Sequence, residues 1–406
     1  MNILFITNTF SPFDLGSGGG QRSYFICKSL SELGSVDLIE INVNKIKRFE
    51  LDYKFNRIYN LSLNNVPKIK SRFNILRRFS NFLQSLIKID FFFKKNDEIT
   101  VAVKDIIDIH KYDLIFARYL RTATLCNLLN KPNLIIDIDD NPIEASKINN
   151  RYFNYFVLGK IYQKNLCKFY RKVINNVPLT FISNKNQVES IKQYPLKNIP
   201  LITDFLTKDA VLNNSIHKPS LLFIGLLDYY ANYKSLEIFI RETWPKLINR
   251  IPNLQFYIIG RGLPEYLKNL FATYNGINIT GFVQDLEPYF KNCTIYVSPI
   301  YFGSGTNIKI LEAMGKGIAI VGTPMSIRGY EDMLIDRVNI LIAKNGQEFI
   351  DDIEILIRNK QYREDLVENA KETLIQYDYI YDSFSNNLHQ AIRKEFPKLI
   401  FNNHLS

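Results

Sequence analysis

Residues 293–324, CTIYVSPIYFGSGTNIKILEAMGKGIAIVGTP, constrain the fold of this chain more than any other stretch. They read as strand, glycine loop, helix, strand. Residues 295–298 form a short apolar, β-favouring run that Pro299 ends. Gly303, Ser304, Gly305, Thr306 and Asn307 follow as a loop of small residues. Ile308, Ile310, Leu311 and Met314 then recur at the spacing of one buried helix face. Gly315 and Gly317 stop the helix, and residues 318–321 open the next strand. A glycine loop feeding a helix start presents backbone N–H groups and the positive end of the helix dipole, which suits a phosphate. Lys309 adds a charge nearby. Glu312 sits one turn into the helix, where a carboxylate can accept from sugar hydroxyls. The pattern predicts a pocket for a nucleotide diphosphate that carries a sugar.

The same residues resemble the donor site of glycosyltransferase family 4. The match is G-x-G-T-x-x-K-x-L-E-A-M-x-x-G, carried by Gly303, Gly305, Thr306, Lys309, Leu311, Glu312, Ala313, Met314 and Gly317. Three upstream segments continue it in order. Residues 222–227 (LFIGLL), with Gly225, resemble the strand opening the family's donor domain. Residues 252–254 (PNL) and 256–262 (FYIIGRG) resemble its second strand and loop. Residues 279–283 (ITGFV), with Phe282, resemble the segment that packs on the nucleobase.

The resemblance implies the GT-B fold: two Rossmann-like parallel-sheet domains facing a cleft, with a C-terminal helix crossing back to the first. It implies an enzyme that moves a sugar from a nucleotide-diphosphate sugar to an acceptor hydroxyl with retention. Glu312 would hold the ribose hydroxyls, and Gly305 and Thr306 would meet phosphate or sugar. Two departures matter. Many members carry a Glu at the position of Ser304, where sugar hydroxyls are read, so sugar choice is expected to differ. Gly225 is followed by Leu226 where some members have Arg, and the nearest polar candidates are Asn232 and Lys234. Lys309, Arg261 and backbone amides around Gly305 and Thr306 are the groups expected to meet the diphosphate.

A chain of 406 residues accommodates two domains with real cores. The boundaries expected are 1–205 for an acceptor-binding domain, 206–219 for a linker, 220–376 for the donor domain and 377–406 for the returning helix. No run is apolar enough to predict a transmembrane helix. The start, MNILFITNTF, reads as a strand rather than a signal peptide. Cys27, Cys126, Cys167 and Cys293 show neither disulfide-type nor metal-type spacing and read as buried free thiols. No metal site and no cofactor are expected beyond the nucleotide-sugar co-substrate.

The net charge of +11 is concentrated. Residues 45–95 hold thirteen Lys and Arg against three acids, a net of +10. Within them Phe73, Leu76, Phe79, Phe82, Leu83 and Leu86 lie three or four apart, as on an amphipathic basic helix. Such a helix suits an anionic membrane surface; an ordinary surface helix is the alternative, and nucleic acid is not expected. The enzyme is therefore expected in the cytoplasm, peripheral on the inner face of the plasma membrane, with a glycan or lipid-linked acceptor.

The N-terminal half alternates strands (2–7, 35–41, 113–117, 134–138, 179–183) with helices (20–33, 118–129, 148–174), which implies a parallel sheet. Gly18, Gly19 and Gly20, with Arg22, are too far beyond the first strand for a dinucleotide fingerprint. The resemblance makes them a flexible loop set against donor phosphate and acceptor. Asp139 and Asp140 end a predicted strand, where ligands of such sheets bind. They can orient hydroxyls, act as a base, or cap a helix. Arg118 ends another strand and can bind an acceptor phosphate or make an ordinary ion pair. Two other functions fit the same donor pocket: a nucleotide-sugar epimerase without acceptor, and a non-catalytic nucleotide-sugar binder.

Overall fold

In the computed structural model, which describes residues 1–43, 48–62, 96–143, 156–200, 219–303 and 306–399, the chain divides into two units. The first comprises Met1–Lys197 and Tyr381–Ser406, the second Asn198–Ile380.

The first unit is built on seven parallel strands in the order β3-β2-β1-β4-β5-β6-β7. They are β1 (Asn2–Thr7), β2 (Ser35–Ile41), β3 (Arg57–Leu61), β4 (Leu114–Arg118), β5 (Leu134–Asp139), β6 (Leu179–Ile182) and β7 (Gln193–Pro195). Ile3, Leu4, Phe5 and Ile6 are all fully buried, because helices cover both faces of the sheet. Strand β1 pairs with β2 on one side and β4 on the other, so the connections reverse direction there. Helix α1 (Gly18–Leu33) starts where the Ser17 hydroxyl accepts the Gly20 N–H at 3.1 Å. The basic segment was expected as an insert; the structure shows that part of it, β3, is an edge strand in register with β2. The basic helix expected in 72–95 and all of the expected linker except Pro219 lie outside the described residues.

The second unit has six parallel strands in the order β10-β9-β8-β11-β12-β13. These are β8 (Ser220–Ile224), β9 (Gln255–Ile259), β10 (Ile277–Gly281), β11 (Ile295–Ser298), β12 (Ala319–Gly322) and β13 (Leu341–Ile342). Its core centres on aromatic rings. Phe239 packs on Phe256 and Phe349 with centroids 5.7 and 5.4 Å apart, and Trp244 packs on Phe256 at 5.6 Å. Such pairs contribute about 0.5–1.5 kcal/mol each beyond their buried area. The Trp244 indole N–H donates to the Asn275 carbonyl, so its polar atom is satisfied. Helix α2 (Ile308–Gly315) follows the glycine loop as the apolar spacing predicts.

Helix α3 (Tyr381–Glu395) belongs to the first unit, where it packs along α1. Phe384, Leu388 and Ile392 face inward. Polar contacts fix the register. Ser385 Oγ donates to Glu32 at 2.7 Å, and His389 Nε2 lies 2.8 Å from the Ser29 carbonyl. Cys27, Cys126 and Cys293 are buried free thiols as expected, whereas Cys167 is only partly covered.

Candidate functional site

In both sheets the groups of interest gather where strands end at their carboxyl sides, beside the reversal in strand order. That is the ligand-binding edge of an open α/β sheet.

In the second unit this edge is made of glycine and one ion pair. Gly225, Gly260 and Gly281 close β8, β9 and β10. The Gly225 N–H donates to the Ile259 carbonyl at 3.0 Å, and the Gly260 N–H to the Gly281 carbonyl at 2.9 Å. Gly260 has φ +153°, and a Cβ there would lie 1.8 Å from the Gly225 carbonyl oxygen. No other residue fits that backbone contact. Phe282, next in the chain, is half exposed, as a ring available for stacking must be.

Beyond β11 the loop is tied down by side chains. Asn307 does not cap α2; its Nδ2 donates to Ser298 Oγ at 2.9 Å, and Ser298 is fully buried. Thr306 Oγ1 accepts from Asn198 at 2.8 Å, and the Gly303 carbonyl accepts from Arg328 Nη1 at 3.2 Å. Ser304 and Gly305 lie outside the described residues. Lys309 Nζ donates to both oxygens of Glu312, at 3.0 and 2.8 Å, with both residues buried. Glu312 also lies near Tyr296, whose hydroxyl is pushed well above its ordinary pKa by burial and then by that carboxylate.

This arrangement provides amide hydrogens at a helix start, a cation and a carboxylate within one turn. Of the other groups expected to meet a diphosphate, Arg261 is exposed. Asn232 and Lys234 are engaged locally, with the Leu226 carbonyl and Glu237 respectively. Arg328 was missed in the sequence. It follows β12 in the run TPMSIRG, and the rule that sites gather beyond strand carboxyl ends points to it.

In the first unit the same edge is made of charge. Arg22 grips Asp137 with two bonds, Nε at 2.9 Å and Nη2 at 2.7 Å, and its Nη1 donates to the Leu196 carbonyl at 2.7 Å. Arg118 pairs with Asp137 and, at 2.8 Å, with Asp139. Arg118 and Asp137 are fully buried. Arg118 therefore does not present itself to an acceptor phosphate: its guanidinium lies inside the sheet edge, between two carboxylates. Arg22 likewise faces inward.

Burial would raise the Asp139 carboxyl, but Arg118 and Arg22 outweigh it and hold it at about 2. The next residue behaves oppositely. Asp140 is pushed up to about 7, first by burial and then by the Asp139 charge. Its Oδ1 accepts from Ser183 Oγ at 3.4 Å.

Gly18, Gly19 and Gly20 were expected in a flexible loop and are instead the first turn of α1. The physical reason is a close approach. A Cβ on Gly20 would lie 1.8 Å from the Asp14 carbonyl oxygen. Among the described residues, no helix is long and apolar enough to cross a membrane.

Comparison with known proteins finds a family match for part of the chain. Residues 218–359 match the model described as "Glycosyl transferases group 1". The chain is 25% identical over 255 residues to an uncharacterized 44.6 kDa protein in the cps region of Klebsiella pneumoniae. That alignment spans 58% of this chain and 64%, under two thirds, of the relative. It is 27% identical over 368 residues to an uncharacterized glycosyltransferase of Methanocaldococcus jannaschii, spanning 85% of this chain and 86% of the relative. Among solved structures it resembles Anabaena HepE in complex with UDP and glucose. The TM-score is 0.63 at 14% identity, over 97% of this chain and 100% of the other. The fold is GT-B.

Proposed function

We propose, from the match of residues 218–359 to the glycosyl transferases group 1 model, that this chain moves a sugar from a nucleotide-diphosphate sugar to an acceptor hydroxyl, with retention. The observation that carries the proposal is the buried Lys309–Glu312 pair one turn inside α2, beside glycine-closed strands. Glu312 accepts from the ribose hydroxyls of the donor. Lys309, Arg261 and the amides of the 303–306 loop offset the charge of the departing diphosphate. Phe282 stacks on the base. Ser304, with its short side chain, leaves the sugar to be read by fewer contacts.

The acceptor oxygen bonds to the anomeric carbon on the face from which the diphosphate leaves. The acceptor proton passes to a phosphate oxygen of that leaving group. Catalysis on this route is mostly positioning and electrostatic stabilisation. Asp140 orients the acceptor hydroxyl. The HepE structure holds UDP and glucose, which supports a nucleotide donor here. The basic segment 45–95 suits a lipid-linked acceptor on an anionic membrane face; vesicles of anionic lipid that fail to bind the protein at low salt would remove that part.

A thermal-shift screen of UDP-, GDP-, ADP- and CDP-sugars tests the donor site. One nucleotide class raises the Tm, by about 2–3 kcal/mol of linkage at a hundredfold excess over Kd, and Glu312→Ala abolishes the effect. No shift with any donor would sink the proposal. Lys309→Ala lowers turnover at least tenfold while the protein stays folded; wild-type turnover would remove Lys309 from the chemistry. Release of an altered nucleotide-sugar in place of a glycosylated acceptor would identify an epimerase.

A further inference from the structure

The helix Phe156–Asn176 of the first unit carries five cations, Lys160, Lys164, Lys168, Arg171 and Lys172, and no acid. Its inner side is fixed by the core, where Leu166, Phe169, Tyr170, Val173 and Ile174 are buried. At about 3.6 residues per turn the five cations fall on the opposite side, and all of them are exposed. Arg171 Nε pairs with Glu189 at 3.2 Å, whereas no described acid pairs with Lys164, Lys168 or Lys172. A solvated helix face ordinarily mixes both signs of charge. This one keeps a single sign over about 18 Å, from Lys160 to Lys172.

The stripe of cations ends beside an apolar tip. Residues 188–192 lead into β7 and are tied to the stripe itself, Glu189 to Arg171 and Ser190 Oγ to the Asn175 side chain at 3.1 Å. From the inner side, the Glu189 N–H donates to Gln193 Oε1 at 2.8 Å, and Gln193 Nε2 donates to the buried Tyr170 hydroxyl at 2.8 Å. Between these anchors Ile191 is 91% exposed, more than any other large apolar side chain among the described residues. Val188 in the same turn and Ile161 in the stripe are exposed as well. One exposed apolar residue needs no explanation. Three beside an unbalanced row of cations fit a partner that is both anionic and penetrable. A nucleic acid would meet the charges and leave Ile191 in water. The boundary of an anionic bilayer meets both, headgroups with the lysines and acyl chains with the isoleucine.

We infer that the outer face of this helix, together with the turn 188–192, is a docking surface for an anionic lipid bilayer. Lys164, Lys168 and Lys172 lie along the headgroups, and Ile191 enters the acyl boundary. The assignment deepens the membrane part of the reading above, on which it rests, and places it outside segment 45–95. It does not rest on the donor chemistry.

The test is co-sedimentation of the full chain with phosphatidylcholine vesicles, with and without phosphatidylglycerol, at low salt. The wild type binds the anionic vesicles and not the neutral ones. Lys164→Glu, Lys168→Glu and Lys172→Glu combined weaken binding at least about tenfold, while Arg at the same three positions preserves it. Ile191→Ser, which leaves the net charge unchanged, weakens it about threefold or more. All these variants keep the wild-type Tm. Wild-type vesicle binding by the folded charge-reversal variant or by Ile191→Ser overturns the assignment. Loss of binding in Arg77→Glu with Arg78→Glu would then give the membrane role to segment 45–95. A wild type that ignores anionic vesicles overturns both. Single-stranded DNA that binds the wild type more tightly than the vesicles do, and binds Ile191→Ser equally well, makes the face a nucleic-acid site and also overturns it. The nucleotide-sugar thermal shift, measured on the same samples, reports on the donor reading alone.

Discussion

The two sheets place their functional edges in the same topological position and build them from opposite materials. In the first unit, two arginines and two aspartates neutralise one another inside the edge, where Arg118 and Asp137 have no exposed surface. In the second, Gly225, Gly260 and Gly281 remove side chains altogether, and the buried ion pair is Lys309–Glu312 on the helix behind. The first edge is rigid because each charge is satisfied by its neighbour. The second is open because there is no Cβ to fill it. A charged residue at a strand end is therefore not in itself a sign of ligand contact, and glycine there is a better one.

Three changes break or sharpen that contrast. The largest effect is expected of Arg118→Met, which removes the direct arginine partner of Asp139 and leaves Asp137 to Arg22 alone. Removing one member of a buried ion cluster costs about 3–5 kcal/mol, so the urea midpoint of the first unit falls steeply. A variant with wild-type stability would mean the cluster is not structural. Next is Gly260→Ala, whose Cβ must displace the Gly225 carbonyl. Overpacking of this kind costs about 1–3 kcal/mol, and nucleotide binding should weaken with it. Unchanged donor affinity would show that the glycine layer serves packing alone.

The third change, Asp140→Asn, acts only through pH. With its pKa raised from 3.8 to about 7, folded Asp140 keeps a proton that the unfolded chain has released. Where the folded state binds the extra proton, stability declines as pH rises, here from about 4 to about 7. The Asn variant lacks that decline, so it melts above the wild type at pH 8 and level with it at pH 3. Parallel curves would show that Asp140 titrates as an ordinary carboxyl.

The fold was legible wherever apolar periodicity and glycine punctuation agreed. Strands 2–7 and 35–41 and the helix after the glycine loop stand where the sequence predicts them. β3 was not legible. Its pattern is mostly exposed, and it pairs only at the edge of the sheet inside a segment dominated by charge. In the donor unit, the Lys309–Glu312 pair was half legible. The residues were named, but sequence spacing does not say that both oxygens of the carboxylate face the ammonium. In the first unit, Arg22 was read with a ligand-facing loop and Arg118 as either a phosphate ligand or an ordinary ion pair, because nothing local shows that both converge on Asp137. That convergence is a property of the sheet order. Ile191 carries no motif at all; only its exposure beside a basic helix marks it.

The membership of α3 in the first unit has a consequence for synthesis. The second unit is a continuous stretch of chain and contains its own core, so it can fold as soon as it leaves the ribosome. The first unit cannot be completed then, because the face of α1 that carries Ser29 and Glu32 waits for Ser385 and His389. Its apolar surface stays uncovered through the whole making of the second. The half translated first is the half finished last, and a chaperone or ribosome pause acting in that interval would protect α1.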